Sequence, residues 1–150
     1  MLKTGLAAIA ALLIAAPGIA QSDTTPFRPL TVTNKAAALV SPVSGPQNAR
    51  RLLEVLVLRA QSDSGADAFV GGFLIDCTSG AVSVEHLTSY QGGKQIDEQT
   101  LDPPLTVKVE PDTVYETLRT YACTGKVELN DDARPVGVAA AMAHGAEMIR

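Results

Sequence analysis

The stretch that most restricts what this chain can fold into is Phe69 to Cys77, FVGGFLIDC, the strongest strand signal present and one that ends in one of only two cysteines. Read with a period of two, Phe69, Phe73, Ile75 and Cys77 share one face, so Cys77 points into an apolar layer and away from solvent. The other cysteine, Cys123, closes a later stretch with helical spacing. A bond between the two would fasten a helix to a sheet.

The first residues set the compartment. Met1 to Lys3 make a short positive start, Gly5 to Ala16 is apolar throughout, and Gly18-Ile19-Ala20 supplies small residues ahead of Gln21. This is the pattern of a secretory signal peptide over 1–20, cleaved before Gln21. The apolar run is short for a bilayer span, so no membrane anchor is expected after its removal. No cysteine stands at the cut, which resembles ordinary secretion and not lipoprotein processing. The reading places the mature protein in the periplasm or outside the cell.

Trimming leaves 130 of 150 residues, enough for one small core, and the loss of Lys3 moves the formal charge from −4 to −5. A mildly acidic chain without a basic stripe is a poor match for nucleic acid. Two cysteines in an oxidising compartment read as a disulfide, Cys77 to Cys123. Reduced redox thiols usually show CxxC spacing, and two ligands do not make a zinc site. Neither metal nor cofactor is therefore expected.

The pattern along the chain predicts an α+β fold: a small antiparallel sheet of four to five strands, with one helix packed on it and tied by the disulfide. Residues 21–50, rich in Pro, Thr and Ser, read as a flexible leader. Within it Lys35 to Val40 has room for one helical turn before Pro42 and Pro46. An ordered domain is expected over 51–125. Arg51 to Gln61 is apolar on both alternating faces, which suits a strand covered twice, although Leu and Glu also favour helix. Ser62 to Ala66 then turns. Val82 to Tyr90 alternates as the hairpin partner of the strand ending at Cys77.

After Gly92-Gly93, Gln95 to Thr100 reads as a short polar edge strand. Pro103-Pro104 is expected to break the ladder before another short strand over Leu105 to Val109. Short links make the sheet antiparallel. Pro111-Asp112-Thr113 opens a helix through Cys123, with Thr113 and Glu116 in capping-box positions. Val114, Leu118, Tyr121 and Ala122 form its apolar stripe, and Gly125 ends it. The tail, 126–150, holds a second helical candidate over Pro135 to Ile149, weakened by Gly137 and Gly145.

Taken together, several of these residues resemble the surface-adhesin protein E family of Gram-negative bacteria. They are Asp76-Cys77 at a strand end, Tyr90 followed by Gly92-Gly93, the Pro111-Asp112-Thr113 helix start, Glu116 and the closing Ala122-Cys123. The resemblance covers Arg51 to Cys123, about half of the chain. It implies an exported domain of antiparallel sheet and helix closed by a disulfide, with an adhesin role toward host extracellular proteins. The chain departs from the pattern where Leu105 and Val107 stand in place of an aromatic residue, and in the tail after Cys123.

A search for chemistry yields little. His86 beside Glu85 invites a catalytic reading, but neighbours on a regular strand point to opposite faces, and His86 would share the face of Val82 and Val84. His144 stands in an Ala-rich tail. Asp131-Asp132 with Glu128 lacks EF-hand spacing and reads as a solvated acidic turn. Gly71-Gly72 within a strand reads as a bulge or close packing. No nucleophile elbow, HExxH or P-loop appears.

The expectation is a non-enzymatic binding or envelope-associated module, engaging an envelope or host extracellular protein. Tyr90, Leu87 and the run from Leu52 to Leu58 are the places to look for its contact surface. The alternative is a small periplasmic hydrolase with a dispersed site around His86 and Asp76, which requires both residues in one pocket.

Overall fold

The computed structural model describes residues 24–46, 49–60 and 65–150. The signal peptide expected over 1–20 lies outside them, as does most of the turn expected at Ser62 to Ala66. Side-chain alternation organises what is seen. Six strands, β1 (Arg28–Val32), β2 (Ala36–Val40), β3 (Arg50–Arg59), β4 (Ala68–Asp76), β5 (Val82–Gln91) and β6 (Lys94–Val107), pair in chain order as one antiparallel sheet. Helices α1 (Val114–Thr124) and α2 (Val138–Ile149) follow.

The two helices cover opposite faces. Leu53, Val55, Phe73, Ile75, Val82 and Val84 pack with Leu118, Tyr121 and Ala122 of α1. Residues of the other parity, among them Leu56, Leu58, Ala68, Val70 and Tyr90, pack with Val138, Ala141 and Met142 of α2. A strand covered on both faces has no polar side to alternate with, and this explains the continuous apolar run of β3.

Cys77 and Cys123 form the disulfide, with their Cα atoms 5.6 Å apart and a sequence separation of 46. It joins the end of β4 to the end of α1. The cap of α1 is built as its residues require. Thr113 accepts the Glu116 N–H at 3.4 Å, Glu116 accepts the Asp112 N–H at 2.8 Å, and Gly125, at φ 73°, donates to the Tyr121 carbonyl. Leu118, at 1% exposure, is the centre of the packed stripe.

Three expectations are corrected. The leader expected to be flexible over 21–50 supplies two strands, β1 and β2, so the sheet has six strands and not four to five. Lys35 to Val40 forms no helical turn. The Thr33 hydroxyl accepts the Lys35 and Ala36 N–H groups in a tight turn, and Ala36–Val40 runs on as a strand whose two faces are both buried. Small apolar residues carry no periodicity, so the local pattern could not distinguish the two states.

The third correction concerns the two strands expected on either side of Pro103-Pro104, which are one strand, β6, although its ladder is interrupted there as expected. Val84 pairs with Leu105 and His86 with Thr100, so Leu101 to Pro104 form an outward excursion of an edge strand, where the missing N–H groups leave no ladder bond unmade. The helical candidate in the tail, Pro135 to Ile149, is present as α2 (Val138–Ile149). It is a second packed helix, and Gly145 is its contact point: a Cβ there would stand 3.2 Å from both Leu39 Cδ1 and Leu58 Cδ2. What reads as a weak helical residue is what lets α2 approach the sheet.

The tail also fastens the segment just before β1. Phe27 N–H donates to the Pro135 carbonyl at 2.8 Å, and Gly137 N–H donates to the Thr25 carbonyl at 2.9 Å. Residues 25–27 are thereby held beside the sheet.

Candidate functional site

The adjacent glycines of β4 create the most unusual local geometry in the sheet. A Cβ on Gly71 would stand 2.7 Å from the Phe73 ring, and one on Gly72 would stand 1.9 Å from the His86 ring. Each glycine therefore accommodates an aromatic ring, Phe73 on the α1 face and His86 on the α2 face. Close packing is realised at both positions.

A bulge puts His86 where it is. Phe73 pairs with Val84 and Gly72 pairs with His86, which leaves Glu85 as an extra residue on β5. That residue reverses the alternation. His86 does not share the face of Val82 and Val84 as regular spacing implies; it lies on the opposite face, and Glu85 and His86 line the same cavity. The sequence carries the signal for this only in the glycine pair opposite.

Glu54, Gly72 and His86 stand in register across β3, β4 and β5. Because Gly72 has no side chain, the edge of the His86 ring leans across it toward the strand that carries Glu54. The two residues interact electrostatically, yet no hydrogen bond or ion pair joins them among the described residues. His86 Nε2 is buried and has no hydrogen-bond partner. The Glu54 carboxyl is half-buried, and its pKa is raised by burial, an effect that the charge of His86 opposes.

Around this row is a cavity of about 620 Å³. Leu53, Glu54, Gly72, Phe73, Glu85 and His86 line the sheet side, Leu52 stands there at 45% exposure, and Thr24 to Pro26 with Ser41, Pro42 and Ser44 provide the walls. The Thr24 to Pro26 wall is the segment held by Pro135 and Gly137. The Ser41 hydroxyl is committed to the fold, accepting the Glu54 N–H at 2.8 Å and donating to the Pro42 carbonyl.

The remaining candidates fall elsewhere. Asp76 is at the end of β4, about 13 Å along the strand from Gly72 by strand rise, and it does not line the cavity. Its carboxylate accepts N–H groups from Ser79 and Thr78, bonds that hold its pKa below the usual range. Tyr90 is core under α2. His144 meets Asp131 at 2.9 Å, which gives the acidic turn a structural role, and among the described residues no group of three His, Cys, Asp or Glu side chains is placed to hold a metal ion.

On the opposite face, α1 crosses only part of the sheet. Beyond it is a groove of about 410 Å³ lined by Val57, Phe69, Leu87, Leu101 and Tyr115, among others, with Arg59 5.5 Å above the Phe69 ring. Leu105, at 60% exposure, stands at its β6 side. Of the surface residues expected from sequence, Leu87 lies in this groove and Leu52 in the cavity. No helix among the described residues is long and apolar enough to cross a membrane. No protein-family model, curated protein or solved structure matches this chain.

Proposed function

We propose that this chain is an exported, non-enzymatic binding module of the kind its resemblance to surface-adhesin protein E implies, and that the α1-face groove takes an apolar, extended segment of an envelope or extracellular protein. The carrying observation is the groove itself. Phe69, Leu87 and Leu101, each only partly buried, line it together with Leu105, which is 60% exposed. The one cation among its described lining residues, Arg59, is held over Phe69 and suits a carboxylate following the apolar anchors. The disulfide agrees with an oxidising compartment.

The hydrolase reading requires His86 and Asp76 in one pocket, and their separation gives it no support. A photocrosslinking side chain at Leu87, introduced in the protein expressed in a Gram-negative host, tests the proposal. A discrete protein adduct is expected, absent when the crosslinker replaces exposed Lys94 and lost when Phe69→Asp is added without a fall in melting temperature. Equal labelling from both positions would overturn the reading.

A further inference from the structure

At the β1 edge of the sheet one charged side chain lacks a counterpart. Arg28 opens β1 half-buried, and its Nε is buried without a hydrogen-bond partner. Among the described residues its guanidinium makes no hydrogen bond and no ion pair. Arg51 differs, because its Nε is also buried but its Nη1 donates to the Gly45 carbonyl at 2.7 Å. What Arg28 does meet is the Tyr121 ring, whose centroid is 5.7 Å from Cζ. A cation taken partly out of water with no anion beside it works against folding, so such groups are normally paired.

The same guanidinium lines a cavity of about 380 Å³. Pro26, Phe27, Val40 and Pro42 give it apolar walls, Tyr121 lines it from α1, and Arg134 comes from the segment before α2. The Phe27 to Pro135 backbone bond brings that segment here, and the Ala133 carbonyl orients Arg134 Nη1 at 2.7 Å. No aspartate or glutamate is among the described lining residues. Asp131, earlier in the same segment, is taken up by the Ala133 N–H and by His144, at 2.9 Å each. Tyr121 is 8% exposed, and its hydroxyl donates to the Ser41 carbonyl over 3.4 Å. A well-made O–H···O bond spans about 2.5–3.0 Å, so this hydroxyl retains donor capacity.

These donors favour an anion, and a guanidinium fork matches the two oxygens of a carboxylate. The walls select among anions. Inorganic phosphate needs hydrogen bonds on every side, and the side chains of two prolines, a valine and a phenylalanine offer none. A carboxylate on a hydrocarbon group instead sets its oxygens at the arginines and its apolar part against the prolines. Ligand sites commonly measure about 300–1,000 Å³, so a cavity near the lower end takes one small acid or one chain end.

We propose that this cavity binds a carboxylate carried on an apolar group, with Arg28 as its ion-pair partner, the Tyr121 hydroxyl as a further donor and the exposed Arg134 as a second cation. A free organic acid and the C-terminal carboxylate of a protein share this chemistry. The cavity has no lining residue in common with the α1-face groove, so either site can fail without the other.

Calorimetric titration of the disulfide-bonded chain with phenylacetate tests this, beside phenylacetamide, which keeps the shape without the charge, and inorganic phosphate. Saturable one-site binding of phenylacetate is expected, about tenfold or more tighter than either control, and the Arg28 Nε–H proton signal should move with saturation. Arg28→Gln should weaken phenylacetate about tenfold or more. Arg134→Gln, at an exposed position, should weaken it about threefold and reads the site even if Arg28→Gln lowers the melting temperature. N-acetylphenylalanine binding more tightly than phenylacetate would identify a protein C-terminus as the natural source, and the reverse a free acid. The proposal is overturned if phenylacetate fails to saturate, if either control binds equally well, if the Arg28 signal does not move, or if both glutamine variants bind like the parent.

Discussion

Glu54 illustrates how the burial of one carboxyl sets a pH dependence of the fold. Burial holds its carboxyl above the ordinary value of 4.5, so the folded state binds this proton more tightly than the unfolded chain does. Stability therefore falls as pH rises through the window above 4.5. Glu54→Gln removes the ionisation while keeping the shape. Thermal melts should place its midpoint above the parent's at about pH 7, with the gain vanishing at about pH 4, where both forms are neutral. A midpoint that does not rise at neutral pH would mean that burial of this carboxylate has no cost. Leu118 is the opposite case, wholly structural. Leu118→Ala opens a cavity between α1 and the sheet and should cost about 2 to 5 kcal/mol in denaturant titrations.

At the scale of elements, each helix depends on a different kind of contact. α1 is fixed by its cap and its stripe, and Thr113→Ala should cost about 1 kcal/mol, well below the loss at Leu118, because it removes a bond and leaves packing alone. α2 has no side-chain cap at Gly137 and relies on close approach at Gly145. Gly145→Leu should therefore destabilise by about 1 to 3 kcal/mol despite a gain in helix propensity, as side-chain volume forces α2 away from Leu39 and Leu58. A Gly145→Leu variant as stable as the parent would show that the helix can shift without loss. Of these elements the sequence made α1 plain, since its cap residues and apolar stripe lie within one continuous stretch. β2 was not legible, because Ala36–Val40 has no polar residue to mark a period and takes strand form by pairing with β1 on one side and Arg59 to Val55 of β3 on the other.

For the whole molecule, the disulfide ties sheet to helix across 46 residues of sequence, and the chain-entropy estimate for a loop of that size is about 4 kcal/mol. Cys77→Ser and Cys123→Ser should lose equal stability, and the double variant should lose little more, because all three lack the same bond. Additive losses in chemical denaturation would mean that the two sulfurs act separately. By itself the sequence marked strands over Phe69 to Cys77 and Val82 to Tyr90, a strand over Arg51 to Gln61 that also allowed helix, the helix after Thr113 and the pairing of two cysteines, and the structure has β3, β4, β5, α1 and the disulfide there. These follow from local periodicity, capping chemistry and cysteine count, which need no distant partner. Only the tertiary structure decided that the leader joins the sheet, that the tail covers its second face, and that His86 stands beside Glu85 and opposite Glu54. Those outcomes depend on strand pairing and on one extra residue in β5, whose position is set by Gly72 and Phe73 on the neighbouring strand and reverses every side chain beyond it.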